Sequence, residues 1–400
     1  MNERKDMTGA EKLQRNQAKL KKAIELVPQQ QIPCGIFSQG WSYAYAGTTR
    51  KAVMHDPVQC AQAATKYLDD FDVAYAAFAD ISIEVYQALG ATNYHWAPDD
   101  CAVVHAQADD RYADPEDYPA FISNPMGFLQ EQMLKKRVPA FQLPEDEAYE
   151  GLKDAAIEMK KQAYINQLVQ GEFDRRGIIN VFHSQAPLFQ GPFSAIFDYF
   201  RGIKGALVDI RRRPELVDAA CDAYFAQFKA MHGIMSDPED IRQQYAGQTL
   251  TFGMSILNAE CFLSPRNFDK YYMRYFKACF EPYMEAGVKF IIVGEGKLAQ
   301  VVDRYADLPK GSILFLLGSD DPYDIAPIMK GRQAFCAGAT LDLLRMGTQE
   351  DCIAYAQKCI DDFAPDGGFV FGHNSLLMAA GDGRPENVKA VYDYVASYNA

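Results

Sequence analysis

The chain of 400 residues is long enough for two or three domains of average size, or for one large β/α barrel. It is 48% hydrophobic and 23% charged, values typical of globular proteins, which excludes a disordered or fibrous chain. The 40 basic and 53 acidic residues give a net charge of −13, which argues against a general binder of nucleic acid or anionic membranes.

The sequence also predicts a compartment. No apolar run reaches the roughly 18 residues that a transmembrane helix needs, and the charged N-terminus lacks the apolar core of a signal peptide. The nine cysteines are scattered and never spaced Cys-x-x-Cys. We therefore expect a cytoplasmic protein with reduced thiols, without membrane or nucleic-acid partners.

Residues 1–30 are predicted to form a helical N-terminal extension. Eight short runs then follow that are apolar, β-branched or aromatic, each closed by a small or polar residue. They are IPCGIF, DVAYAAFA, GIINVF, TLTFGMSIL, VKFIIVG, SILFLLG, QAFCAGA and GGFVFG. Helical patterns lie between them, such as DPVQCAQAATKYLDD with its Asp-Pro start. Eight such β/α units predict an α/β fold, a (β/α)8 TIM barrel over residues 31–400.

Two segments interrupt this alternation. Residues 93–146, after the second strand, are rich in Asp, Pro and aromatic side chains. We expect them to form a long insertion that lies over the barrel mouth, because long ordered loops in compact enzymes are usually lids or binding loops. Residues 184–204 are predicted to form a loop and a short helix.

Active sites of such barrels lie at the C-terminal ends of the strands. The side chains that the sequence places there are Ser38, Asp80, His183, Asn258, Glu260, Glu295, Asp320, Cys336 and His373. Several are potential metal ligands, although none has a recognisable ligand spacing such as His-Glu-x-x-His. Trp41, Tyr43 and Tyr45 follow the first strand and are predicted to form an aromatic wall of the substrate site.

A set of ordered blocks resembles the uroporphyrinogen decarboxylase superfamily, which includes corrinoid-dependent methyltransferases. The blocks are FADISIEVYQALG, SQAPLFQGPFSAIFDYFRG, FLSPRNFDKYYMRYFKACFEPYMEAGVKFIIVGEG, GATLDLLRMGTQED, DGGFVFGHNSLL and RPENVKAVYDY. The resemblance covers roughly residues 30–398 and implies a TIM barrel with its site at the C-terminal mouth. It also implies a substrate-contacting role for Asp80.

Local residues favour the methyltransferase branch. True uroporphyrinogen decarboxylase grips a polyanionic tetrapyrrole with N-terminal arginines, but the matching stretch FSQGWSYAYAGTTR contains no arginine before Arg50. The methyltransferase branch typically binds zinc through His-x-Cys at the end of the fifth strand. Here that position reads Val293-Gly294-Glu295. The resemblance therefore implies an altered zinc site of Glu295 and His373, joined by Glu260, Asp320 or Cys336.

The expected function is methyl transfer between a small methylated donor (an aryl methyl ether, an alcohol or an amine) and the cobalt of a separate corrinoid protein. In this hypothesis the metal polarises the donor heteroatom, Asp80 and His183 act in catalysis, and Asn258 and Asn374 contact the substrate. One alternative is a metal-free decarboxylase of a small carboxylic acid that uses Asp80 and His373. Another is a non-catalytic tetrapyrrole carrier.

Overall fold

The computed structural model describes residues 7–78, 80–91, 94–105, 112–373 and 375–398. The strands are β1 Gly35–Ser38, β2 Tyr75–Phe78, β3 Tyr94–Trp96, β4 Val103–His105, β5 Ile179–Asn180, β6 Leu188–Phe189, β7 Phe252–Leu257, β8 Lys289–Gly294, β9 Ile313–Leu316, β10 Ala334–Ala339 and β11 Phe369–His373. The helices are α1 Gly9–Ile24, α2 Gly40–Tyr45, α3 Arg50–Val53, α4 Pro57–Thr65, α5 Ile83–Ala88, α6 Tyr118–Ser123, α7 Pro125–Phe128, α8 Leu134–Arg137, α9 Glu145–Arg176, α10 Pro192–Ala195, α11 Gly202–Arg212, α12 Pro214–Met231, α13 Pro238–Gln244, α14 Pro265–Phe268, α15 Arg274–Glu285, α16 Asp303–Ala306, α17 Pro322–Met329, α18 Leu341–Met346, α19 Gln349–Phe363 and α20 Pro385–Tyr398.

The chain has an α/β fold in which the main strands are parallel. One sheet has the order β1-β2-β5 and the other β11-β10-β9-β8-β7-β6. A parallel bridge between Cys34 and Phe371 links the two sheets, and the Phe371 N–H donates to the Pro33 carbonyl at 2.9 Å. Each of the eight predicted runs overlaps one of these strands. The two-residue strand β6 lies in the segment 184–204, where the sequence predicts only a loop and a helix.

Buried apolar side chains cover both faces of the parallel strands. Along β8, Phe290 and Ile292 pack in a core shared with the helices, whereas Ile291 and Val293 pack in an inner core. This alternation follows from the two-residue period of a strand, and burial on both faces explains why the run reads as continuously apolar. The inner core contains residues from both sheets, including Tyr75 of β2.

Near the N-terminus, helix α1 covers Gly9–Ile24. Thr8 and Glu11 form a capping box at the start of α1, in which the Thr8 N–H donates to the Glu11 carboxylate at 2.7 Å. The other end of the helix buries Leu20, Ala23 and Ile24, which join the inner core of the strands. Helix α1 therefore contributes directly to the strand core.

The insertion after β2 forms the antiparallel pair β3–β4 and the short helices α6 to α8. The 32-residue helix α9 then runs for about 48 Å along the molecule. It ends at Gly177, whose φ of 69° is left-handed, and a Cβ there would lie 2.3 Å from that of Lys12. Only glycine satisfies both requirements. In the described part of the chain, no helix is both long and apolar enough to cross a membrane.

Candidate functional site

Strands β7 and β8 place polar side chains next to each other at their C-terminal ends. Leu257 lies opposite Gly294 in the register, and the Glu295 N–H donates to the Leu257 carbonyl at 3.0 Å. Asn258 and Glu295 therefore leave adjacent strands side by side. The turn after β7 continues to Glu260, which brings three of the predicted site residues to one edge of the sheet.

Glu260 is completely buried. Its Oε1 accepts a hydrogen bond of 2.7 Å from the Ser194 hydroxyl, while Oε2 is buried without a hydrogen-bond partner among the described residues. Gly191 allows this close packing, since a Cβ there would lie 2.8 Å from Glu260 Oε1. Burial raises the pKa of Glu260 to about 7, because the interior disfavours the ionised form.

A third carboxyl group, Asp198, comes from the π-helical turn Ile196–Phe200. Its two oxygens face side-chain amides, with Gln190 Nε2 at 3.4 Å and Asn258 Nδ2 at 3.5 Å. Burial raises the pKa of Asp198 to about 6, although both amides oppose the rise. Asp198 is not among the site residues that the sequence predicts. The one signal that the sequence offers is a lone carboxylate within the aromatic run IFDYF, and π-helical turns often mark functional sites.

Asp198, Glu260 and Glu295 together form what we term the carboxyl cluster. Glu295 is exposed at the end of β8, and partial desolvation and the negative charge of Asp198 raise its pKa. The charge of Asp198 also contributes to the raised pKa of Glu260. Carboxyl groups that hold a proton near neutral pH are suited to donate it to a reacting atom.

His373 is not available as a metal ligand in this arrangement. Its Nε2 accepts a hydrogen bond of 3.1 Å from the Phe37 N–H, and its Nδ1–H donates to the Ser375 carbonyl. Burial lowers the pKa of His373 to about 4, so the ring is neutral at physiological pH. Strands β9 and β10 lie between the strand that ends at His373 and β8, which Glu295 follows. This separation corresponds to about 14 Å along the sheet.

Two more of the predicted ligands have other partners. Both oxygens of Asp320 accept backbone N–H groups, from Leu298 at 2.7 Å and from Ala299 at 3.1 Å. Cys336 is buried within β10 beside the Tyr75 hydroxyl at 3.3 Å, and burial raises its thiol pKa to about 12. Zinc requires the thiolate. No group of three His, Cys, Asp or Glu side chains in the described residues is arranged to hold a metal ion, so the predicted zinc site does not fit this geometry.

Asp80 and His183, the predicted catalytic pair, line the same groove, which has a volume of about 730 Å³ beside α9. The Asp80 carboxylate is nevertheless engaged by the buried Arg50, whose Nε lies 2.7 Å from Asp80 Oδ2. Glu84 lies 3.7 Å from Arg50 Nη1 and 3.4 Å from Lys161 Nζ. Asp80 therefore balances a buried guanidinium, while His183 is exposed at the groove.

Two residues of the predicted aromatic wall, Trp41 and Tyr43, are buried in the core, and Tyr45 is partly buried. Trp41 has no exposed area, donates from Nε1 to the Gly383 carbonyl at 2.7 Å, and packs against Tyr45 with ring centroids 5.0 Å apart. The Tyr43 hydroxyl lies 3.3 Å from Cys60 Sγ in the same core. These side chains follow the first strand and pack in the core that the strands share with the helices. Asn374, which is also predicted to contact the substrate, lies outside the described residues.

Comparison with solved structures found proteins of similar fold. No protein-family model matches the sequence, and neither does any curated protein. A methyltransferase from Methanosarcina mazei superposes with a TM-score of 0.58, covering 99% of this chain and 100% of that chain at 12% sequence identity. At this identity the likeness concerns the fold, and the superfamily membership stays a prediction.

Proposed function

We propose that this protein is a methyltransferase that moves a methyl group from a small heteroatom-methylated donor to the cobalt of a corrinoid carried by a separate protein. The observation that carries the proposal is Asp198, a carboxyl group with a pKa of about 6 held by two amides at the strand ends. The fold shared with a methyltransferase and the resemblance of the sequence blocks support it.

We further infer that the strands close into a barrel whose C-terminal mouth contains the carboxyl cluster. The parallel order β5-β2-β1, continued through the Cys34–Phe371 bridge to β11 and on to β6, supports this inference. So does the inner core, which draws residues from strands of both sheets. In barrels of this kind the strand ends that contain Asn258 and Glu295 form the active-site face.

The reaction requires a proton when the leaving atom is oxygen. The corrinoid of the carrier protein would supply the electron pair that forms the bond to the methyl carbon, and the carbon–oxygen bond would break with its electron pair remaining on oxygen. An alkoxide or phenoxide is a poor leaving group, so a proton delivered to that oxygen as the bond breaks lowers the barrier. The alcohol or phenol would be released, and the methyl group would pass to the corrinoid.

The carboxyl cluster supplies this proton. Asp198 is half-buried and donates to the leaving oxygen, while Gln190 and Asn258 hold its carboxyl group in one orientation. Glu260 is buried and accepts a hydrogen bond from Ser194, and with its pKa raised to about 7 it adds a negative charge to the cluster only at higher pH. We assign no step to zinc, because the residues predicted to bind it do not converge.

Donors of two classes test this role of Asp198. A methyl ether needs a proton on its leaving oxygen, whereas a quaternary ammonium donor leaves as a neutral amine and needs none. Asp198→Asn is expected to slow methyl transfer from an ether to cob(I)alamin by about 10²- to 10⁴-fold. Any transfer from a quaternary ammonium donor stays near the wild-type rate.

Asp342→Asn is the matched control, since Asp342 is an exposed carboxylate in α18. It should retain the wild-type rate with every donor. Failure of the wild-type protein to methylate cob(I)alamin from any ether, alcohol or amine would contradict the proposed function. The alternative decarboxylase gains no support, because both of its assigned catalysts, Asp80 and His373, are held in other interactions.

A further inference from the structure

A separate pocket lies between the insertion and the segment that contains Asp198. It has a volume of about 330 Å³, within the range of small-molecule sites. Its lining includes Tyr86, Tyr94 and Tyr199, the apolar Leu129 and Met133, and one charged side chain, Arg137. We call it the tyrosine pocket.

Arg137 gives this pocket a single positive charge. Its Nη1 donates to the Asp198 carbonyl at 3.0 Å, and its guanidinium carbon lies 6.0 Å from the centre of the Tyr199 ring. Among the residues that the structure describes, no carboxylate forms an ion pair with Arg137. A guanidinium in an aromatic and apolar lining recognises an anion, best a planar carboxylate that accepts two hydrogen bonds.

The aromatic side chains favour a flat ligand. The rings of Tyr86 and Tyr94 stack with centroids 3.7 Å apart and an interplanar angle of 19°. His105 continues the stack on Tyr94, at 4.7 Å and 16°. Because the three rings contact one another, their orientations are fixed. Tyrosine rings also offer a large apolar area to a ligand and lose little side-chain entropy when the ligand binds. An aromatic ring is the ligand body that such a lining complements.

The tyrosine pocket also adjoins the carboxyl cluster. Tyr199 directly follows Asp198 in the π-helical turn, and Arg137 binds the backbone carbonyl of Asp198. We propose that this pocket binds the ring of an aromatic carboxylate, with the carboxylate on Arg137. This inference rests on the proposed function and specifies its methyl donor as a methoxylated aromatic acid.

Binding can be measured without turnover by calorimetric titration of the full chain with 4-methoxybenzoate. The neutral 4-methoxybenzamide is expected to bind about 10- to 100-fold more weakly, because it lacks the charge-assisted hydrogen bonds to Arg137. The non-aromatic 4-methoxycyclohexanecarboxylate should bind about 2- to 10-fold more weakly than the benzoate. These comparisons use the unchanged protein and do not depend on how a variant folds.

Variants then locate the charge. Arg137→Gln should weaken binding of the benzoate to the level of the amide and leave the amide unaffected. Lys135→Gln removes the same charge from an exposed position of α8 and should bind both probes like the wild type. Equal affinity of the wild type for the two probes, or an unchanged benzoate affinity in Arg137→Gln, would overturn the inference.

The two proposals fail in different ways. Methyl transfer from uncharged ethers without any binding of 4-methoxybenzoate contradicts the tyrosine pocket and leaves the proposed function standing. Tight binding of 4-methoxybenzoate that depends on Arg137, without methyl transfer from any donor, supports the pocket and contradicts the proposed function.

Discussion

Glu260 makes the stability of the protein depend on pH, and one substitution can measure its contribution. The glutamate is completely buried, and its pKa rises from the ordinary 4.5 to about 7. Between these two values the native protein keeps the proton while the unfolded chain has released it. Stability therefore falls as the pH rises through this window, since the folded state binds more protons than the unfolded one.

The size of the effect follows from the two pKa values. Between pH 5 and pH 8, the contribution of Glu260 to the free energy of unfolding decreases by about 2.5 kcal/mol. For a chain of this length, that corresponds to about 3 °C in Tm. The glutamine in Glu260→Gln cannot ionise, so the variant lacks this pH-dependent contribution to the free energy of unfolding. We expect the Tm of the variant minus that of the wild type to increase by about 3 °C from pH 5 to pH 8.

Thermal unfolding of both proteins at the two pH values gives this double difference directly. Any fixed penalty from the amide beside Ser194 cancels, because it is present at both pH values. Glu131→Gln, at an exposed position of the insertion, serves as the control and should show no pH-dependent difference. A difference between Glu260→Gln and wild type that is the same at both pH values would refute the burial argument.

Three further substitutions test the structural assignments. Arg50→Met leaves Asp80 without its buried partner and should destabilise the protein by about 3 to 5 kcal/mol, measured by chemical unfolding; an unchanged unfolding midpoint would argue against the ion pair. His373→Ala removes the acceptor of the Phe37 N–H and should lower stability by about 1 to 3 kcal/mol. Elemental analysis of His373→Ala should find the same metal content as in the wild type. If the variant lost a stoichiometric metal, His373 would be a metal ligand after all. Trp41→Ala should destabilise by about 3 to 5 kcal/mol and leave the KM of the donor unchanged; a raised KM without lost stability would return Trp41 to the substrate site.

The strands were predictable because their physical signal is local. A parallel strand covered on both faces needs apolar side chains at every position, so runs such as VKFIIVG identify β8 directly. β6 has two residues within SQAPLFQGPF and is defined by its pairing with β7. No run of apolar residues marks it, so pattern reasoning could not separate it from a loop.

The site was less predictable, because the partners of its side chains come from distant parts of the chain. His373 ends a strand as expected, but its ring nitrogen is occupied by the N–H of Phe37, 336 residues away. Asp198 sits in a helical segment, and only tertiary packing aims its carboxyl group at Asn258. Strand-end position therefore predicted Asn258, Glu260 and Glu295 as candidate site residues, but it gave no signal for the carboxyl group of Asp198 beside Asn258.

We propose that Asp198 provides the proton for methyl transfer, and the pH dependence of that transfer tests this role most directly. The measurement is the single-turnover rate of methylcobalamin formation from a methyl ether between pH 5 and pH 8. For the wild type, we expect the rate to fall as the pH rises through about 6, where Asp198 loses its proton. Asp198→Asn should be slower by about 10²- to 10⁴-fold and lack this decline. A variant that keeps both the wild-type rate and its pH profile would contradict the account.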